Sequence, residues 1–176
     1  MVTSIRRIVT TQDEQGRSVV EFDDGGTNRL ESRSFPGLVM HELWVTAETP
    51  ARPAGGVDRV LRQARIEPEP HGSVFRVIEL PPDDPSATID HHAADAEFGL
   101  SGQSERARTE RHGTMHRTLT VDYLVVLSGE ISMLLDESEV LLTPGTCVIQ
   151  QATAHGFANR SQDYCVFAAV VIDARP

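Results

Sequence analysis

"MHRTLTVDYLVVLSG" (residues 115–129) is the stretch on which the fold turns. In an extended chain, alternate side chains point to opposite sides. The even positions are His116, Thr118, Thr120, Asp122, Leu124 and Val126; the odd ones are Arg117, Leu119, Val121, Tyr123 and Val125. The odd set suits packing against a neighbouring layer. The even set begins polar and ends apolar, as the inside of a barrel does when its mouth holds a site and its floor is filled. Parity therefore turns Tyr123 away from the site. Downstream, "HGFAN" places His155 on another strand, one short turn after "TCVIQQATA".

Working outward, the C-terminal side continues in short strands, "EISMLLDES", "EVLLTPG", "TCVIQQA" and "YCVFAAVVIDA", each punctuated by Gly, Pro, Asn or Ser. That rhythm belongs to a sandwich or small barrel. On the N-terminal side, "SIRRIVT" (4–10) and "RSVVEFD" (17–23) flank a polar turn and read as a hairpin, and "DDGGTN" (23–28) is a further turn. "LVMHELWVT" (38–46) and "SVFRVIEL" (73–80) are two more strands. A polar stretch of roughly thirty residues follows, of the length usual for functional lids and mobile loops. Within it "SATIDHHAADAEF" can form a short helix starting near Ser86 or Asp90, and "VDRVLRQAR" (57–65) is the other helix candidate.

The expectation is one all-β domain in three stretches. Residues 1–80 supply strands that pack on or complete the barrel, 81–113 form a polar loop or lid, and 114–176 carry the core. The chain has 176 residues, enough for one well-buried domain. Its apolar runs are far shorter than the ~20 residues of a membrane span, and its start lacks the apolar core of a secretory signal. A cytoplasmic protein that does not engage membranes is expected.

The formal charge is −10, and the arginines are scattered among acids, which argues against nucleic acid as a partner. All sixteen basic side chains are arginine. Without lysine there is no Schiff-base chemistry and no phosphate-binding P-loop. No GxSxG elbow supports Ser-His-Asp catalysis. Cys147 and Cys165 lie in apolar runs and read as buried, reduced and structural.

The spacing around these residues resembles the cupins. Their first motif runs Gly, five residues, His-x-His, three or four residues, Glu, six residues, Gly. Here His116-x-Thr118, Asp122 and Gly129 follow that spacing. The second motif runs Pro-x-Gly, two residues, His, three residues, Asn, and Gln150-x-Ala152, His155 and Asn159 follow it, with Pro144-Gly145 upstream. The likeness covers 112–160. With the opening "SIRRIVTTQDEQGRSVVEFDDG" it looks like a small single-domain bacterial cupin group (cupin_2-like).

The resemblance implies a cupin double-stranded β-helix, a jelly-roll barrel, with an N-terminal strand extension and a divalent metal near the mouth. Carried across, His116, Asp122 and His155 would ligate the metal. Thr118 replaces the second histidine of the first motif. Two histidines and a carboxylate are the ligand set of non-haem Fe(II) oxygenases, and they accept Mn(II), Ni(II) or Zn(II) equally well. Gln150 and Thr118 would be the catalytic groups facing a small-molecule substrate. The implied function is a metal-dependent enzyme of oxygenase, isomerase, dehydratase or decarboxylase type. The alternative is a non-catalytic small-molecule-binding or sensory cupin. Cupins commonly pair as homodimers, and residues 1–23 look suited to covering an exposed sheet edge.

The remaining histidines carry less. His112 reads as a solvent or mouth residue and His91-His92 as solvated, unless the lid brings them to the site. His41 and His71 read as structural, and Trp44 as a core or pocket-wall aromatic.

Overall fold

The computed structural model describes residues 5–26, 28–53, 56–100 and 111–175, with the side chains of 91 and 92 left aside. The elements in chain order are β1 (Arg7–Gln12), β2 (Ser18–Asp24), β3 (Asn28–Glu31), β4 (Val39–Thr46), β5 (Ser73–Leu80), α1 (His91–Glu97), β6 (Thr120–Ser128), β7 (Ile131–Leu134), β8 (Glu139–Leu142), β9 (Cys147–Gln151), β10 (Gly156–Ala158) and β11 (Cys165–Asp173). A six-stranded sheet ordered β3-β4-β5-β11-β6-β9 faces a three-stranded sheet ordered β10-β7-β8. All named pairings are antiparallel. This is the all-β jelly-roll barrel that the sequence led us to expect.

Parity works as read. On β6 Thr120, Leu124 and Val126 are buried, Asp122 is half-buried, and Tyr123 is exposed. Leu124 and Val126 meet Ile131, Met133 and Leu142 of the facing sheet in the main core, together with Leu80 and Phe167. Register across the large sheet then defines inward rows. Val74, Val171, Asp122 and Gln150 form one; Glu42, Arg76, Ala169, Leu124 and Val148 form the next.

The N-terminal hairpin forms a two-stranded sheet of its own. β1 pairs with β2 alone and covers no edge of the large sheet. Instead Ile5 packs with Leu43, Val77 and Val166 on that sheet's outer side. The buried Arg7 pins it there, bridging Asp24 (2.5 Å) and Asp58 (2.7 Å) and donating to the Leu43 carbonyl (3.3 Å). With Arg7 and Ile5 turned toward that face, the hairpin is oriented as a cover and not as an added strand.

The helix at 91–97 forms. The Asp90 carboxylate accepts from Ala93 N (3.0 Å), which caps it, and Ala94 and Phe98, one turn apart, are buried against Phe35 and Met40. Glu97 accepts from Arg33 N, Ser34 N and the Ser32 hydroxyl, tying the helix to the β3–β4 connection.

The stretch 57–65 is not helical. Its backbone is held by side chains of the sheet instead: Arg62 O accepts from Asn28, Arg65 N donates to Glu42, and Arg65 O accepts from Arg76. For so short a segment, helix nucleation does not compete with those bonds. Cys147 is exposed, contrary to expectation, because on the edge strand β9 it shares the outward side with Ile149; Cys165 is buried. No helix among the described residues is long and apolar enough to cross a membrane. The lid expectation for 101–110 lies outside the described residues.

Candidate functional site

A cavity of about 150 Å³ opens between the inner face of the large sheet, α1 and the segment bearing His116. Its wall is mostly apolar, and its polar side chains are Arg76, Thr114, His116, Thr118, Asp122, Gln150 and His155. The five predicted site residues are thus all on one cavity.

Backbone pairing brings the two histidines together. His116 and His155 form an isolated antiparallel bridge, with N–H to carbonyl bonds of 2.9 Å in both directions. Directly opposed residues project to the same side. The rings accordingly meet at 4.5 Å between centroids, tilted by 53°. Each Nδ1 faces a backbone carbonyl: Thr114 O at 2.8 Å from His116, and Thr153 O at 3.0 Å from His155. A carbonyl only accepts, so Nδ1 of each ring carries a proton, and in the neutral form of the ring the lone pair is on Nε2. That arrangement presets imidazoles as metal ligands.

Asp122 and Gln150 are likewise cross-strand partners, on β6 and β9. The Gln150 amide nitrogen and His155 Nδ1 both converge on Thr153 O, at 2.8 and 3.0 Å. The 3.2 Å between them reflects a shared acceptor. This leaves Gln150 Oε1 buried, without a hydrogen-bond partner among the described residues, and the same holds for Asp122 Oδ1. Thr118 is buried and bonds through its hydroxyl to that of Thr120 (2.7 Å), two residues along the same face.

Burial is the largest influence on the titration of both Asp122 and His155. It pushes the Asp122 carboxyl above the usual carboxylate range, against the pull of the Thr120 hydroxyl and of the His116 and Arg76 charges. It pushes His155 below the usual imidazole range, only partly offset by the bond to Thr153 O.

The metal expectation fits this donor set in part. Two imidazoles with Nδ1 tied to backbone carbonyls, and a buried carboxylate oxygen without a hydrogen-bond partner among the described residues, are apt chemistry for a divalent ion. Yet among the described residues no group of three or more His, Cys, Asp or Glu side chains is placed to hold one. The structure brings His116 and His155 together and leaves Asp122 in the same cavity, short of a three-residue cluster.

Sequence reasoning missed Arg76, a charged residue on the inner face. Its signal was present: in "SVFRVIEL" it shares parity with Val74, Ile78 and Leu80. Phe35, Ala94 and Phe98, which close the cavity from outside the barrel strands, carried no such signal. His112 is half-buried and does not line this cavity; it is held by Thr114 Oγ1 (2.8 Å) and Asp83 (3.3 Å). His41 is buried against Glu79 (3.0 Å), a structural pair. The side chains of His91 and His92 lie outside the description.

No protein-family profile matches the chain. Over 178 residues it is 27% identical to phomopsin biosynthesis cluster protein D of Diaporthe leptostromiformis, covering 97% of this chain and 79% of that protein. It is 28% identical over 163 residues to the cupin-domain-containing oxidoreductase fogC of Aspergillus ruber, covering 90% of this chain and 66% of that one. The chain therefore spans about two thirds of that oxidoreductase's length. These relatives are fungal, so the bacterial part of the resemblance is not supported. Among solved structures, a Cupin 2 conserved barrel domain protein from Salinispora arenicola aligns with a TM-score of 0.43 at 13% identity, covering 84% of this chain and 82% of that one.

Proposed function

We propose that this chain is a metal-dependent cupin enzyme acting on a small organic molecule bound in the cavity. His116 and His155 hold the ion, with Asp122 as the carboxylate of the set. The observation that carries this is the His116–His155 bridge, which tethers both Nδ1 atoms to backbone carbonyls at the polar end of an apolar cavity. When bound, Fe(II), Mn(II), Ni(II) or Zn(II) supplies Lewis acidity and, for iron or manganese, redox chemistry. The chain's own groups bind and orient: Gln150 Oε1 accepts a hydrogen bond from substrate, Thr118 lines the wall, and the apolar remainder excludes water. Of the reaction types open to such a site, an oxidoreductase is favoured by the names of the fungal relatives.

Metal content is the test, measured by plasma mass spectrometry on protein purified without a His-tag or chelator, beside His155→Ala. The expected result is close to one Fe, Mn, Ni or Zn per chain, lost in the variant. A metal-free parent after anaerobic Fe(II) reconstitution overturns the metal assignment.

A second reading, a metal-free ligand-binding cupin, draws on the lack of a three-residue metal cluster among the described residues. Under it, His155→Ala leaves ligand binding intact; under the first, metal and turnover fall together.

A further inference from the structure

Arg76 is 2% exposed and sits in the mostly apolar wall of this cavity. A guanidinium in such surroundings has to be paired and hydrogen-bonded to offset its lost hydration. Here it is poorly served. Nη2 donates to Arg65 O at 2.7 Å but approaches Glu42 Oε1 only to 3.4 Å, where charge-assisted pairs close to about 2.7–2.9 Å. Nη1 points at the Met40 sulfur at 3.3 Å, a weak acceptor. Nε is buried with no partner among the described residues.

Glu42 cannot do more. Its Oε1 also takes Arg65 N at 3.4 Å, and its Oε2 is shared between Asn28 (3.1 Å) and Arg62 (3.5 Å). Two guanidiniums lean on one fully buried carboxylate, and the other acidic charge that Arg76 feels is Asp122, one row along the sheet. One row along the sheet, Asp122 Oδ1 and Gln150 Oε1 are the other buried, unpartnered polar atoms on the same wall. Among the described residues, one donor and two acceptors on side chains that line this cavity thus lack hydrogen-bond partners. Buried polar groups in folded proteins are otherwise almost always satisfied.

We propose that Arg76 anchors the substrate by its charge: the molecule is a ring-sized organic acid whose carboxylate takes the Nε–H of Arg76. Its apolar body fills the cavity toward Gln150 and Asp122, beside the histidine pair. This rests on the reading of the cavity as a small-molecule site. A cavity of about 150 Å³ holds a single six-membered ring. A phosphate suits it badly, because its three strong acceptor oxygens would meet one free donor.

Benzoate, with benzamide as its neutral isostere, tests this by calorimetric titration of the protein as purified. The parent is expected to bind benzoate at least about tenfold tighter than benzamide, the value of a charge-assisted bond in a dry site. Arg76→Gln is expected to remove that preference, bringing benzoate to within about twofold of benzamide, with circular dichroism confirming the fold. Arg76→Lys, which keeps the charge and loses the fork, serves should the glutamine variant not fold, and is expected to retain only part of the preference. His155→Ala is expected to keep it.

Equal binding of the two compounds by the parent overturns the Arg76 assignment and leaves the cavity reading standing. So does a preference that survives Arg76→Gln but vanishes in His155→Ala, which would place the anion contact on a bound metal. Failure of both ring compounds to bind overturns the cavity reading and the inference with it.

Discussion

Asp122 shows how one side chain's surroundings fix what it can do. With its proton affinity raised by burial, ionising it costs the folded protein stability. Below the unfolded pKa the carboxyl is protonated in both states and the cost is nil. It grows as pH rises through the higher folded value. Asp122→Asn, compared with the parent in EDTA, is therefore expected to raise the urea midpoint at pH 7.5, and the gain should shrink toward pH 4. A gain independent of pH would show that the effect is steric. His155 runs with the opposite sign: its depressed pKa favours the fold above about pH 6.5, and that contribution is lost as pH falls through the folded value. At residue scale much was legible. Period-2 parity alone put Thr118 and Asp122 on the inner side and Tyr123 on the outer. Which way Gln150 faces followed only from its pairing with Asp122 across β6 and β9.

Turns and caps decide where the elements end. Gly129 lies between β6 and β7 with φ +71°, and an added Cβ would run into the Tyr164 carbonyl and lie 2.9 Å from the Cys165 Cα. Backbone on both sides cannot yield as a flexible side chain would. Gly129→Ala is expected to destabilise by about 2–4 kcal/mol in urea denaturation, combining the left-handed backbone cost with the clash. A loss under 1 kcal/mol would mean that the turn rearranges. This glycine was marked in the sequence by the motif spacing. The helix at 91–97 was legible too, because its cap and its Ala94–Phe98 spacing are local. The segment 57–65 misled for the converse reason: the groups that hold its backbone, on Asn28, Glu42 and Arg76, are remote in the chain.

At the scale of the molecule, Glu42 is the joint. Fully buried, it contacts Asn28 of β3, Arg76 of β5, and both Arg62 and Arg65 of the irregular segment. Glu42→Ala leaves two buried guanidiniums without their carboxylate and is expected to cost about 3–5 kcal/mol by urea denaturation. Replacing an exposed acid such as Glu31 should shift stability by no more than about 0.5 kcal/mol. A small effect at Glu42 would mean that water or repacking reaches the arginines.

The sequence by itself determined the barrel and its inner face. Strand period, turn residues and motif spacing are properties of neighbouring residues, set by backbone sterics and by the need to bury one side of each strand. Tertiary structure decided the rest. The opposition of His116 to His155, the alignment of Asp122 with Gln150, and the Glu42–Arg76 contact all depend on strand order and register. Those are settled by which faces can be buried together, across stretches far apart in the chain. An arginine inside β5 reads as an irregularity in one strand; only beside β4, β11 and β6 does it become the charged wall of a cavity.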